Sequence, residues 1–105
     1  MITSDNTPTI VETFDISDRI NESFIFNVNV TGIEVDGSNA YGAHMFYVVK
    51  NNSGVLSQVS TLDLTEKTDF ISATSQVNIS ENIVRILVTG EFGKEISWKH
   101  TCSIL

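Results

Sequence analysis

Apolar and polar side chains trade places residue by residue along much of this chain, the period of two that marks strands with one buried face. The clearest run covers residues 23–31, where Phe24, Phe26, Val28 and Val30 share one face and Asn27, Asn29 and Thr31 the other. Val84, Ile86 and Val88 alternate with Arg85, Leu87 and Thr89, and Ile96, Trp98, Cys102 and Ile104 keep one phase to the end of the sequence. Turn signals recur between these runs at a spacing of roughly 8–12 residues, the signature of an antiparallel sandwich or barrel. The pattern predicts seven strands, over residues 9–16, 23–31, 43–50, 55–62, 70–79, 83–89 and 95–105. Asn51-Asn52-Ser53-Gly54 predicts a hairpin between the third and fourth, a longer loop runs from Asp36-Gly37 to Gly42, and residues 63–69 can hold a short helical turn. The expected fold is one all-β domain over residues 1–105, an antiparallel β-sandwich of jelly-roll or immunoglobulin-like type.

Composition reinforces the strand reading. Ile, Val, Thr, Phe, Tyr and Trp number 43, against 25 for Ala, Leu, Met, Gln, Glu, Lys and Arg, so intrinsic preference disfavours a helical bundle. The net charge of −7 repels phosphate backbones and anionic lipid, which argues against nucleic acid and membrane surfaces as partners. The longest apolar run, Met45 to Val49, is far short of the ~20 residues of a membrane helix. With no basic segment leading an apolar one at the N-terminus, the chain is expected to be soluble and without a secretion signal. A single cysteine, Cys102, rules out an internal disulfide and a cysteine-based zinc cage.

Candidate chemistry is sparse. His44 and His100 fall on different strands with no carboxylate at ligand spacing, so they read as ordinary sheet residues. His100 and Cys102 share a strand face ~7 Å apart, too far for a hydrogen bond, and nothing nearby in sequence lowers the thiol pKa. Acidic residues gather at three turns (Asp15, Asp18 and Glu22; Glu34 and Asp36; Asp63, Glu66 and Asp69), but none forms a calcium-hand loop. Four Asn-x-Ser/Thr sequons begin at Asn21, Asn29, Asn51 and Asn78; in a chain so rich in Asn, Ser and Thr they arise by chance. No catalytic residue, cofactor or metal is expected. Aromatic side chains on polar surfaces could stack on sugar rings; Tyr41, Tyr47, Phe92 and Trp98 are the aromatics to weigh, and Tyr41, the turn-tip Phe92 and the Asp36-to-Asn39 loop are the candidate interaction residues. Trp98, in phase with Ile96 and Ile104, reads as a core anchor.

The run Val84-Arg85-Ile86-Leu87-Val88-Thr89-Gly90, followed by Gly93-Lys94-Glu95-Ile96-Ser97-Trp98, resembles the closing hairpin of small β-domains in tail fibres and other virion structural proteins of tailed bacteriophages. The match covers the last fifth of the chain; elsewhere only strand order and turn placement agree. In such a hairpin Gly90 and Gly93 allow positive φ, and Ile96 and Trp98 return apolar mass to the face built by Val84, Ile86 and Val88. The resemblance implies a non-enzymatic virion part, a capsid decoration, head appendage or tail-fibre module assembled in the bacterial host cytoplasm and packed against other virion proteins. Met1 as a start and a finish within the apolar strand at Ile104-Leu105 suggest a small standalone subunit, expected to be a homo-oligomer and specifically a trimer. The alternative is a carbohydrate-binding module that holds a host-surface glycan.

Overall fold

A computed structural model describes all 105 residues. Nine strands and no helix form two packed antiparallel sheets, a β-sandwich. The strands are β1 (Ile2–Thr3), β2 (Pro8–Phe14), β3 (Ser23–Glu34), β4 (Ala40–Asn52), β5 (Val55–Gln58), β6 (Asp63–Thr68), β7 (Thr74–Ser80), β8 (Ile83–Thr89) and β9 (Ile96–Ile104). The larger sheet runs β1-β9-β3-β4-β5, with β6 joining β5 along the same side of β4; the smaller runs β2-β8-β7. The division is therefore six and three, where an immunoglobulin constant-type domain has four and three. Two long strands of 12 and 13 residues, β3 and β4, draw the molecule out to 47 × 22 × 18 Å.

The expected alternation holds where it was strongest. Phe24, Phe26, Val28 and Val30 of β3 are buried, as are Met45, Tyr47 and Val49 of β4 and Val84, Ile86 and Val88 of β8. Each such side chain, taken fully from water, contributes about 1.5–3 kcal/mol, and together they form one continuous core between the sheets.

Two strands were missed. The two residues of β1 are too few to show a period. The stretch 63–69, expected as a helical turn, contains β6, whose Leu64, Glu66 and Thr68 stand opposite Met45, Ala43 and Tyr41; pairing with the free side of β4 overrides the weak local preference. The strand expected over 70–79 begins only at Thr74, because Phe70 and Ala73 enter the core from a loop. Beyond Gln58 the fourth expected strand gives way to an irregular segment.

A larger correction concerns the C-terminal segments. β8 and β9 do not form a hairpin: β8 lies in the three-stranded sheet and β9 in the six-stranded one. Ile96 and Trp98 therefore face Val84, Ile86 and Val88 across the sandwich instead of extending their sheet. Gly93 has φ of 81° as its turn requires, but Gly90 serves close approach. A Cβ there would collide with the Thr3 hydroxyl and lie 2.7 Å from the Asp5 carbonyl oxygen.

At one end of the rod two two-residue hairpin turns meet, one from each sheet. Ser53 and Gly54 have φ of 54° and 94°, Glu81 and Asn82 of 53° and 59°, the all-positive pattern of a type I′ turn. Asn82 binds the turns together: its Oδ1 accepts the Leu56 N–H at 2.8 Å and its Nδ2 donates to the Gly54 carbonyl at 2.9 Å. Asn51 anchors the same end. Its Nδ2 donates to the Ile16 and Ser17 carbonyls at 2.9 and 3.2 Å, and its Oδ1 accepts the Gly54 N–H at 2.7 Å.

Because Asn51 is buried, truncating it strands backbone groups that water does not reach, at about 1–3 kcal/mol for each unsatisfied group. Asn51→Ala is expected to lower unfolding free energy by at least about 2 kcal/mol in urea titration. A loss below 0.5 kcal/mol, the size typical of surface changes, would show that the amide does not anchor this end.

Candidate functional site

The opposite end of the rod is built by the β3–β4 turn, the loop before β7 and the passage from β8 to β9. Glu91, the second residue after β8, turns its carboxylate inward: Oε1 accepts the Ile71 and Ser72 amides at 2.8 and 2.7 Å and the Ser72 hydroxyl at 3.1 Å. Two loops that meet no common strand are joined by one carboxylate. The Ser72 amide above all, then its hydroxyl, the Ile71 amide and the Lys94 charge, hold the Glu91 carboxyl below the usual glutamate range against the opposing effect of burial.

This clamp fixes two large apolar side chains in water. Phe92, next to Glu91, is 81% exposed, and Ile71, whose own amide enters the clamp, is 95% exposed. Around them the end is acidic. Glu34 meets Lys94 at 3.7 Å, and Glu34, Val35, Asp36 and Glu95 line a shallow hollow. Lone exposed apolar residues are common on proteins; these two stand on loops that the Glu91 carboxylate joins.

Of the candidate interaction residues, Phe92 stands free at the tip. Asp36 and Asn39 lie at the same end but are engaged within their turn. Asp36 Oδ1 accepts the Ser38 hydroxyl and its amide, which lower the carboxyl below the usual range, and Asn39 Nδ2 donates to Glu34 Oε1 at 2.7 Å. Tyr41 is not a surface aromatic. It is 3% exposed, its ring meets Trp98 edge-on at 5.2 Å, and its hydroxyl bonds Ser75 at 2.8 Å and the Glu66 carboxylate. Burial first, then the Glu66 carboxylate, push the Tyr41 hydroxyl pKa up. The reason is register: β4 starts at Ala40, so Tyr41 shares the inward face with Met45 and Tyr47. Trp98 is the core anchor its phase suggested, with Nε1 donating to Thr3 Oγ1 at 2.9 Å. Its ring lies over Gly32, where a Cβ would come within 2.8 Å of it.

Of the titratable side chains singled out earlier, His44 stands apart, whereas His100 and Cys102 share a strand face with Glu12 beside both. His44 stands opposite Asn29, and Asn29 opposite Thr101, so His44 and His100 point to opposite faces of one sheet. His44 bonds Asn27 at 2.6 Å beside the Phe46 ring. His100 meets the Glu12 carboxylate of β2 at 2.7 Å, a cross-sheet partner that lies 88 residues away in sequence. Burial, with Glu12 adding, raises the Cys102 thiol to about 11, which leaves it protonated at neutral pH. No three His, Cys, Asp or Glu side chains converge at metal-binding distance.

Ile71 and Glu91 are the residues of this candidate site that sequence reasoning missed. Ile71 fell inside an expected strand, although the Ser72-Ala73-Thr74-Ser75 run of small residues behind it was available as a turn signal. Nothing in sequence marks Glu91 as a clamp, since its partners lie 19 and 20 residues away.

The clamp sets a pH dependence. A carboxyl lowered in the folded protein stabilises it fully above the ordinary glutamate value of 4.5, and that contribution is lost as pH falls through the lower folded value. The Ile71 and Ser72 amides are expected to lose hydrogen-exchange protection below that value while core amides keep theirs. Glu91→Ala, which removes the acceptor oxygen, should expose them already at neutral pH; unchanged protection in that variant would refute the clamp.

No protein-family model matches the chain, nor does any curated protein or solved structure.

Proposed function

We propose that the chain is a non-enzymatic structural protein of a phage virion, a rigid rod that docks by its clamped tip onto another virion protein. The observation that carries the reading is that Phe92 and Ile71 are both exposed on loops locked to one another by Glu91. A tip already ordered before contact avoids the cost of ordering loops on binding. The acidic residues around it favour a partner with an apolar pocket and a basic rim. A structural role is also supported by what the polar side chains do. Every buried side-chain nitrogen and oxygen has a hydrogen-bond partner, and each histidine is engaged by a side chain, His44 by Asn27 and His100 by Glu12.

A second reading, a carbohydrate-binding module for host attachment, is favoured by Phe92 alone, an exposed ring beside the hollow of Glu34, Asp36 and Glu95. With Tyr41 buried, that site has one aromatic platform instead of two.

Quantitative mass spectrometry of purified particles is expected to find the chain at fixed stoichiometry; its absence would overturn the virion role. The double variant Phe92→Ser/Ile71→Ser should cut incorporation at least tenfold while unfolding free energy stays within about 0.5 kcal/mol of the parent. Normal incorporation of that variant would reject docking by the tip. Binding on a glycan array that Phe92→Ala abolishes would favour the second reading.

A further inference from the structure

The six-stranded sheet has one long open edge. β9 pairs along its whole length with β3, but on its other side β1 covers only Ile96 and Ser97, with the Met1 carbonyl accepting the Trp98 N–H at 2.8 Å. No strand of the chain pairs with the outer side of residues 99–104.

Which main-chain groups face that side follows from one reciprocal pair. Ile25 and Leu105 exchange N–H···O bonds of 3.2 and 3.0 Å. In an antiparallel ladder such pairs alternate with non-bonded ones, so Ser103, Thr101 and Lys99 also turn their N–H and C=O toward β3. His100, Cys102 and Ile104 therefore turn theirs outward, in phase with the Trp98 N–H that reaches β1. Three donors and three acceptors form a short, regular edge ready for strand addition.

We propose that this edge is a homodimer interface, in which two copies join β9 to β9 antiparallel about a two-fold axis at Cys102. That register sets Cys102 opposite its own counterpart and His100 opposite Ile104 of the second copy. All three outward residues on each strand then exchange both bonds, and two six-stranded sheets become one. Other occupants fit less well. A longer added strand runs into β1, which continues the same edge beyond Trp98, whereas a second β9 brings a matching free run of the same length. Charge also agrees. Lys99 is the one charged side chain from residue 99 to 105. In the two-fold register it lies opposite Leu105 and about 20 Å from the other Lys99, at ~3.3 Å per residue. Thr101 falls opposite Ser103 on the outer face, where hydroxyls can bond across the pair. The edge carries no proline and no bulge, the usual devices that stop such pairing. A self-complementary contact of this kind closes at two copies, a different assembly from the trimer expected from sequence.

Two measurements test the interface. Sedimentation velocity of the whole chain over a concentration series should show the 11.6 kDa species giving way to one of twice its mass. Ile104→Pro removes only an outward N–H, a position where an edge strand tolerates proline, and should raise the dimer dissociation constant at least tenfold with the fold retained. Hydrogen exchange on the unaltered protein supplies the second readout, whatever the variant does. The amides of His100, Cys102 and Ile104 should gain protection as concentration rises, while those of Lys99, Thr101 and Ser103 are protected throughout. A monomer at every concentration, or an oligomer in which those three outward amides still exchange freely, would overturn the proposal.

Discussion

The antiparallel ladder between β3 and β4 is the constraint on which the rest of the molecule depends. It pairs Ser23 through Ile33 with Lys50 back to Ala40 without a break, and every other strand of the larger sheet is attached to one of these two or, for β1, to β9. Its inward row from Phe24 to Val30 and from Ala43 to Val49 is the surface that the three-stranded sheet covers. Side-chain direction along a strand is fixed by its neighbours on the ladder. The same register that buries Tyr47 thus buries Tyr41, sends His44 outward and leaves β9 with its even-numbered residues facing the open edge.

What could be read from the sequence follows from how local each determinant is. The period of two at Phe24 to Val30, and the Asn-Gly-type turn signal at Ser53-Gly54, act within a few residues and carried straight into the structure. Ile83–Thr89 was likewise placed to the residue. The errors occurred where a distant partner decides. β6 exists because β4 has a free side to offer. Pairing does not link β8 to β9 although they are consecutive, because each already has partners in a different sheet. At the tip, Phe92 was legible as a turn residue too large for its turn; Glu91 and Ile71 were not, since a carboxylate's partners cannot be inferred from its neighbours in the chain. Tyr41 differs for a third reason: β4 begins at Ala40, three residues before the expected strand, and so takes Tyr41 into its inward phase.

Asparagine does much of what a disulfide does in other small domains. Asn51 and Asn82 each tie segments of different strands through both ends of the carboxamide, donor and acceptor, and Asn21 adds an acceptor for the Ser53 amide at 3.1 Å. A carboxamide suits this because it satisfies backbone groups of both kinds without bringing a charge into a buried place. The weight of Asn at the hairpin end is structural, whereas the charged clamp is confined to the opposite end, where water is near.

The bond between Thr3 and Trp98 spans 95 residues, and it bears on the order in which the fold can be completed during synthesis. Until residues 96–104 have left the ribosome, β3 has no partner on one side, β1 has none at all, and Gly32 has no indole above it. The hairpins β3–β4 and β7–β8 can form earlier, since each closes a short loop. While residues 35–95 are being added, β3 therefore carries one bare edge, with the aggregation hazard that such an edge brings. Arrival of β9 closes that edge and leaves the outer side of residues 99–104 open in its place.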